Sequence, residues 1–116
     1  MTETSSEQAA VCARVGATPM PCRPDSKVGI AITTAGQRPL NALRHAPEGG
    51  TCGWYLWWGE ELSEAPDFFE PLHVAHLDHY CPEIVPYLSL PPGWRVLLAP
   101  EYEDVWYDAG LLGAQS

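Results

Sequence analysis

The segment Gly53-Trp54-Tyr55-Leu56-Trp57-Trp58-Gly59 carries no charged side chain between its glycines. In an extended chain successive side chains point to opposite faces, so Trp54, Leu56 and Trp58 share one face while Tyr55 and Trp57 share the other. A strand that is apolar on both sides belongs in the middle of a sheet covered above and below. The pattern predicts a buried central strand over residues 53–58. The alternative is that Tyr55 or Trp57 reaches the surface beside Glu60 and Glu61 as a binding anchor, since Trp and Tyr dominate interface hot spots.

The rest of the chain is read against that strand. Residues 1–9 are Ser, Thr and Glu without apolar period and are expected to be disordered, while Ala10 to Val15 is a short apolar run expected as an edge strand. Pro19, Pro21 and Pro24 make the next stretch a loop. Lys27 to Thr34 reads as a strand with Val28, Ile30 and Ile32 on one face. Pro39 to Arg44 suggests one helical turn within a loop, ended by Pro47 and Gly49-Gly50. Glu60 to Pro71 is acidic, interrupted by Pro66 and Pro71, and is expected to lie over the sheet with Phe68-Phe69 as an apolar pin. Leu77, Tyr80, Ile84 and Leu88 recur at helical spacing between His73 and Leu90. Pro82 suits a first turn and Pro86 does not suit an interior, so two short pieces meeting near Pro82 are expected. Trp94 to Ala99 and Val105 to Asp108 form a hairpin across Pro100 to Asp104, and the tail over residues 109–116 is loose. Strands, then helix, then hairpin make one α+β domain over residues 10–108, with a small, mainly antiparallel sheet and one helical segment packed on it.

Composition narrows the function. At 116 residues the chain is long enough for one hydrophobic core. No apolar run reaches the ~18 residues of a membrane span, and the acidic, polar start lacks the features of a signal peptide, so a cytosolic location is expected. Cys12, Cys22, Cys52 and Cys81 contain no C-x-x-C pair, and in that compartment they are expected as reduced thiols. The formal net charge is −9, and it is unevenly spread. Residues 48–108 hold twelve carboxylates against Arg95 alone. Such a surface repels phosphate backbones and attracts a cationic protein.

Catalytic chemistry finds little footing. His73, His76, His79 and Cys81 are the one constellation suggestive of metal, but their spacing turns His73 and His79 well apart on a helix, and no standard zinc spacing is present. Cys81 sits among Asp78 and Glu83, which oppose a reactive thiolate. There is no nucleophile elbow, Walker loop or dinucleotide fingerprint. Glu60 and Glu61 are adjacent, so on a strand they point to opposite faces. The residues therefore point to a protein that is not an enzyme and needs no cofactor. A small metal-dependent hydrolase using the three histidines and a scaffold or regulatory interaction module stand as the alternatives.

The succession Val28-Gly29-Ile30, Gly53-Trp54 with Gly59-Glu60, Pro71-Leu72-His73-Val74-Ala75-His76-Leu77, and Pro82 to Leu90 closing in Pro91-Pro92-Gly93-Trp94-Arg95 resembles a bacterial polymorphic-toxin immunity protein family, number thirty-three, earlier a domain of unknown function. The resemblance covers roughly residues 25–108, and its most specific part is the Pro-Tyr-Leu-x-Leu-Pro-Pro-Gly run after His-x-x-His-Leu. It implies a cytosolic antidote that binds a cognate secreted toxin and blocks its active site. An acidic surface with aromatic anchors suits a basic toxin such as a nuclease. The candidate contacts are then Trp57, Glu60, Glu61, Glu64, Asp67, Glu70, Glu101, Glu103 and Asp104.

Overall fold

The Trp-rich stretch forms the strand expected of it, lengthened to Thr51–Trp58, in a computed structural model that describes residues 6–47, 50–60 and 68–113. The chain runs α1 (Ser6–Val15), β1 (Lys27–Ile30), β2 (Leu40–Arg44), β3 (Thr51–Trp58), β4 (Glu70–His73), α2 (Leu77–Tyr80), β5 (Trp94–Ala99), β6 (Tyr102–Tyr107) and α3 (Gly110–Gly113), with short 3-10 segments between several of them. The six strands form one sheet in the order β4-β1-β3-β2-β5-β6, in which the β1/β3 pair alone is parallel. This is a mainly antiparallel α+β fold with a C-terminal hairpin.

Both faces of β3 are covered. Cys52, Trp54, Leu56 and Trp58 meet the helical side, where Val11 and Cys12 of α1 join Leu77, Cys81, Ile84, Leu88 and Leu90 over Val28, Ile30, Leu40 and Val96. On the other side Trp57 packs with Ala31, Leu43 and Leu111, edged by Tyr55, Phe68 and Phe69. Phe69 meets Tyr55 and Trp57 edge-on with ring centroids 5.1 and 6.2 Å away, so the pin lies where the sequence put it. Trp54 is fully enclosed and donates its indole N–H to the Leu88 carbonyl at 3.0 Å.

Several local expectations are overturned, each by a longer-range or capping effect. Ala10 to Val15 is helical rather than an edge strand, and the helix already includes Ser6 to Ala9. Three alanines favour it, and Gly16 at φ 74° ends it, with Gly16 N–H on Ala13 O and Ala17 N–H on Cys12 O at 2.8 Å, the paired bonds of a Schellman cap. Leu40 to Arg44 is a strand, not a helical turn, because it is hydrogen-bonded between β3 and β5 and its intrinsic preference yields to that pairing. The strand expected over Lys27 to Thr34 stops at Ile30 as β1, and Ile32–Thr34 coils into a 3-10 turn whose Thr34 hydroxyl accepts the Trp58 N–H at 2.9 Å. Glu70 to His73 joins the sheet as its outer strand beside β1, with Pro71 opposite Gly29. An outer strand tolerates proline because the missing donor would have faced away from the partner. Residues 61–67 of the same acidic segment lie outside the described residues.

Between Val74 and Tyr87 the chain makes the expected short pieces, 3-10 over Val74–His76, α2, then 3-10 over Pro82–Tyr87 with Pro82 opening it and Pro86 inside it. Leu77, Ile84 and Leu88 point inward, but the break at Cys81 turns Tyr80 out to half exposure. The hairpin is tighter than expected. Ala99 pairs with Tyr102, leaving Pro100-Glu101 as the turn, with Glu101 in the left-handed region at φ 60°. No helix among the described residues is long and apolar enough to cross a membrane.

Two glycines, Gly53 within β3 and Gly59 just after it, separate conformational strain from close contact. Gly53 and Gly59 both have φ 96°, but a Cβ on Gly53 would strike the main-chain carbonyl of His45, whereas one on Gly59 would strike only the mobile end of Gln37. Urea denaturation should therefore show Gly53→Ala losing on the order of 3 kcal/mol or more and Gly59→Ala about 1–2 kcal/mol. Equal losses would show that the His45 contact yields.

Candidate binding surface at one end of the sheet

Strand register decides which carboxylates come together. Trp58, Leu40, Leu98 and Glu103 lie in one cross-strand row, and Leu56, Ile30 and Glu70 lie in the next. The C-terminal ends of β1, β3 and β5 and the N-terminal ends of β2, β4 and β6 therefore share one end of the sheet. Glu70 begins the outer strand there, Glu60 follows the central strand, and Glu101 sits in the hairpin turn. Five strand spacings separate the outermost of these, on the order of 24 Å. Glu60, Glu70, Glu101 and Asp104 are all exposed, and none forms an ion pair with a described residue. Glu61, Glu64 and Asp67 lie outside the described residues.

Two of the candidate contacts sit differently. Trp57 is 5 % exposed and faces the smaller core, so it supports this end from beneath and offers a partner no ring surface; its Nε1 has no hydrogen-bond partner among the described residues. Glu103 is held by its own chain. Arg14 grips both of its oxygens at 2.7 and 3.1 Å and the Tyr87 hydroxyl donates to one of them. The Arg14 and Tyr87 hydrogen bonds hold the Glu103 carboxyl below the ordinary carboxylate range. Tyr87 is pushed up to about 12, first by burial and then by donating to that carboxylate. Asp108 is likewise engaged, accepting from Arg95 at 3.1 Å and from the Gly110 N–H at 3.0 Å.

A cavity of about 320 Å³ opens at the same end, between Arg38, Glu83, Pro100 and Tyr102 over a floor of Leu40 and Leu98. Sequence reading gave neither Arg38 nor Glu83 a part in binding, because Arg38 stands just ahead of β2 and Glu83 in the 3-10 segment Pro82–Tyr87, and nothing local announces that the fold brings them to one cavity. Tyr102 is 55 % exposed at its rim, an aromatic surface of the kind that anchors interfaces.

The histidines do not converge. His73 lies on β4 and His76 in the following 3-10 turn, with ring centroids 6.0 Å apart, while His79 stacks edge-on against Tyr80. Among the described residues no group of three or more His, Cys, Asp or Glu side chains is arranged to hold a metal ion. Burial, and then the charge of Glu83, pushes the Cys81 thiol up to about 12, as its acidic neighbours led one to expect.

The Arg14 fork carries a testable sign. A carboxyl whose folded pKa is depressed adds stability above its unfolded pKa and loses it as pH falls through the folded value. Carboxyl NMR titration should show Glu103 below the ordinary glutamate range, and Arg14→Gln should move it upward toward that range. A Glu103 midpoint unmoved by that substitution would mean that the fork does not form in solution.

No curated protein and no solved structure matches the chain. The family of Imm33-like domains matches it over residues 7–108, from the first helix through the hairpin. All six strands of the acid-rimmed sheet lie within the matched region, and the chain belongs to the Imm33-like family.

Proposed function

We propose that this protein is the immunity partner of a polymorphic toxin system, acting in the cytosol by binding a cognate toxin and keeping it from its substrate. The family membership supports immunity. The contact surface in this reading is the acidic end of the sheet, with Glu60, Glu70, Glu101 and Asp104 and with Tyr102 as its exposed aromatic; Glu61, Glu64 and Asp67, outside the described residues, are proposed as contacts from the sequence alone. Glu103 contributes charge from within its Arg14 fork, and Trp57 contributes support from the core.

The observation that carries this reading is the gathering of carboxylates without ion-pair partners among the described residues at one end of the fold. Unpaired like charges repel one another and cost the isolated protein stability, a cost that a basic partner would relieve. A toxin that acts on a polyanion such as nucleic acid presents the matching positive surface, and electrostatic attraction of this kind acts mainly on the rate of encounter. Once docked, such an inhibitor needs slow release and no turnover.

The test is the association rate of the purified pair, with the toxin supplied by the neighbouring gene. Glu60→Lys, Glu70→Lys and Glu101→Lys combined should slow association on the order of tenfold or more at low salt. The difference should shrink as ionic strength rises and the screening length falls to ~3 Å near 1 M. Rates equal to the unsubstituted protein at every salt concentration would overturn this surface as the site, and an acidic toxin would overturn the charge argument.

A further inference from the structure

The strand β6 forms one margin of the sheet and pairs with β5 alone among the described residues. Register decides which of its main-chain groups are already used. Just past the strand the Asp108 N–H donates to the Gly93 carbonyl at 2.6 Å, and this pair continues the β5/β6 register. Hydrogen-bonded and non-hydrogen-bonded pairs alternate along an antiparallel ladder. Trp106, Asp104 and Tyr102 therefore turn their N–H and C=O groups inward to Arg95, Leu97 and Ala99, while those of Tyr107, Val105 and Glu103 turn outward. No other main-chain hydrogen bond among the described residues reaches these outward groups. They make a row of donors and acceptors of the kind a further strand takes up.

The side chains select what can pair there. Glu103, Val105 and Tyr107 share the face of the larger core, where Val105 packs and Arg14 holds Glu103. Tyr102, Asp104 and Trp106 share the opposite face, with Asp104 exposed between an exposed tyrosine ring and a half-buried indole. Arg95 lies over that indole, 5.4 Å from its centroid, but is bonded to Asp108. Asp104 forms no ion pair with a described residue. The strand carries Glu103 and Asp104 and no basic side chain, with Glu101 before it and Asp108 after it. A second copy suits such a margin poorly, since it would bring the same carboxylates and its own formal net charge of −9. A basic strand suits it well. On the outer side Asp104 would sit in a non-hydrogen-bonded pair, where facing side chains come closest, so a cation there would meet the carboxylate beside two aromatic rings.

We propose that β6 is the docking edge for the toxin, a pairing that rests on the toxin-binding reading above: an extended segment of the basic partner joins the six-stranded sheet along β6, with a Lys or Arg opposite Asp104 between Tyr102 and Trp106. Main-chain bonds to Glu103, Val105 and Tyr107 supply affinity whatever side chains the partner carries, and Asp104 selects a cation at one position. The strand begins at the hairpin turn, so the same segment passes beside Glu101 at the acidic end of the sheet.

Amide hydrogen exchange, followed by NMR on the full chain, tests the pairing. In the free protein Asp104 and Trp106 should be protected while Glu103, Val105 and Tyr107 exchange readily. Saturation with the purified toxin encoded by the neighbouring gene should protect those three as well. Val105→Pro removes an outward donor that β5 does not use, so protection at Asp104 and Trp106 should persist while toxin affinity falls on the order of tenfold. Asp104→Lys, which leaves the main chain unchanged, should weaken binding by on the order of tenfold too. Toxin binding that leaves the three amides exchanging as in the free protein, or an affinity unmoved by Val105→Pro, would overturn the strand pairing and leave the immunity reading in place. Protection of the three in the free protein would also overturn it, in favour of cover by the chain itself or, where protection rises with protein concentration, of a second copy. A toxin that does not bind at all would overturn both readings.

Discussion

The structure depends on the fact that β3 has no wet side. A strand carrying Trp54, Leu56 and Trp58 on one face and Tyr55 and Trp57 on the other must be roofed twice. The first roof is α1 with the broken helical run through Leu88, and it makes the larger core. The second is thinner, built from Phe68, Phe69 and Leu111. Because Phe68 and Phe69 follow the acidic stretch and Leu111 follows the hairpin, covering Trp57 draws both ends of the acidic chain onto the sheet. Hydrophobic demand at the centre thereby places charge at the rim.

This explains which parts of the fold were legible. The β3 pattern was readable because both of its faces are decided by local alternation, and the two prolines at positions 82 and 86 were readable because proline acts on its own backbone. Leu40 to Arg44 was not readable. Its Leu, Ala and Arg residues favour a helix, and only the partners on either side make it a strand, so the information lies in β3 and β5. The helical state of Ala10 to Val15 had a usable signal in its alanines and in Gly16 as a terminator, outweighed in reading by a short run that resembled a strand. The acidic residues were visible as composition, while their common end of the sheet is a product of register and lay beyond local pattern.

Arg44 shows the same division. As a basic residue in an undistinguished stretch it invited no attention, yet the fold encloses it and spends four main-chain carbonyls on it, those of Met20, Cys52, Leu88 and Leu90. These carbonyls come from the loop before β1, the start of β3 and the turn before β5. A single guanidinium thus fixes three segments that are distant in sequence and gives that corner of the core a defined geometry. Apolar packing alone would leave their relative positions less constrained.

The two margins of the sheet are unequal. At β4 the second of four residues is Pro71, which has no N–H to offer, whereas β6 runs from Tyr102 to Tyr107 without proline. A sheet receptive along both margins can extend copy after copy into a fibre. With a donor missing from the β4 margin, lateral strand pairing is disfavoured there relative to β6, so one imino acid makes the sheet less receptive to open-ended assembly.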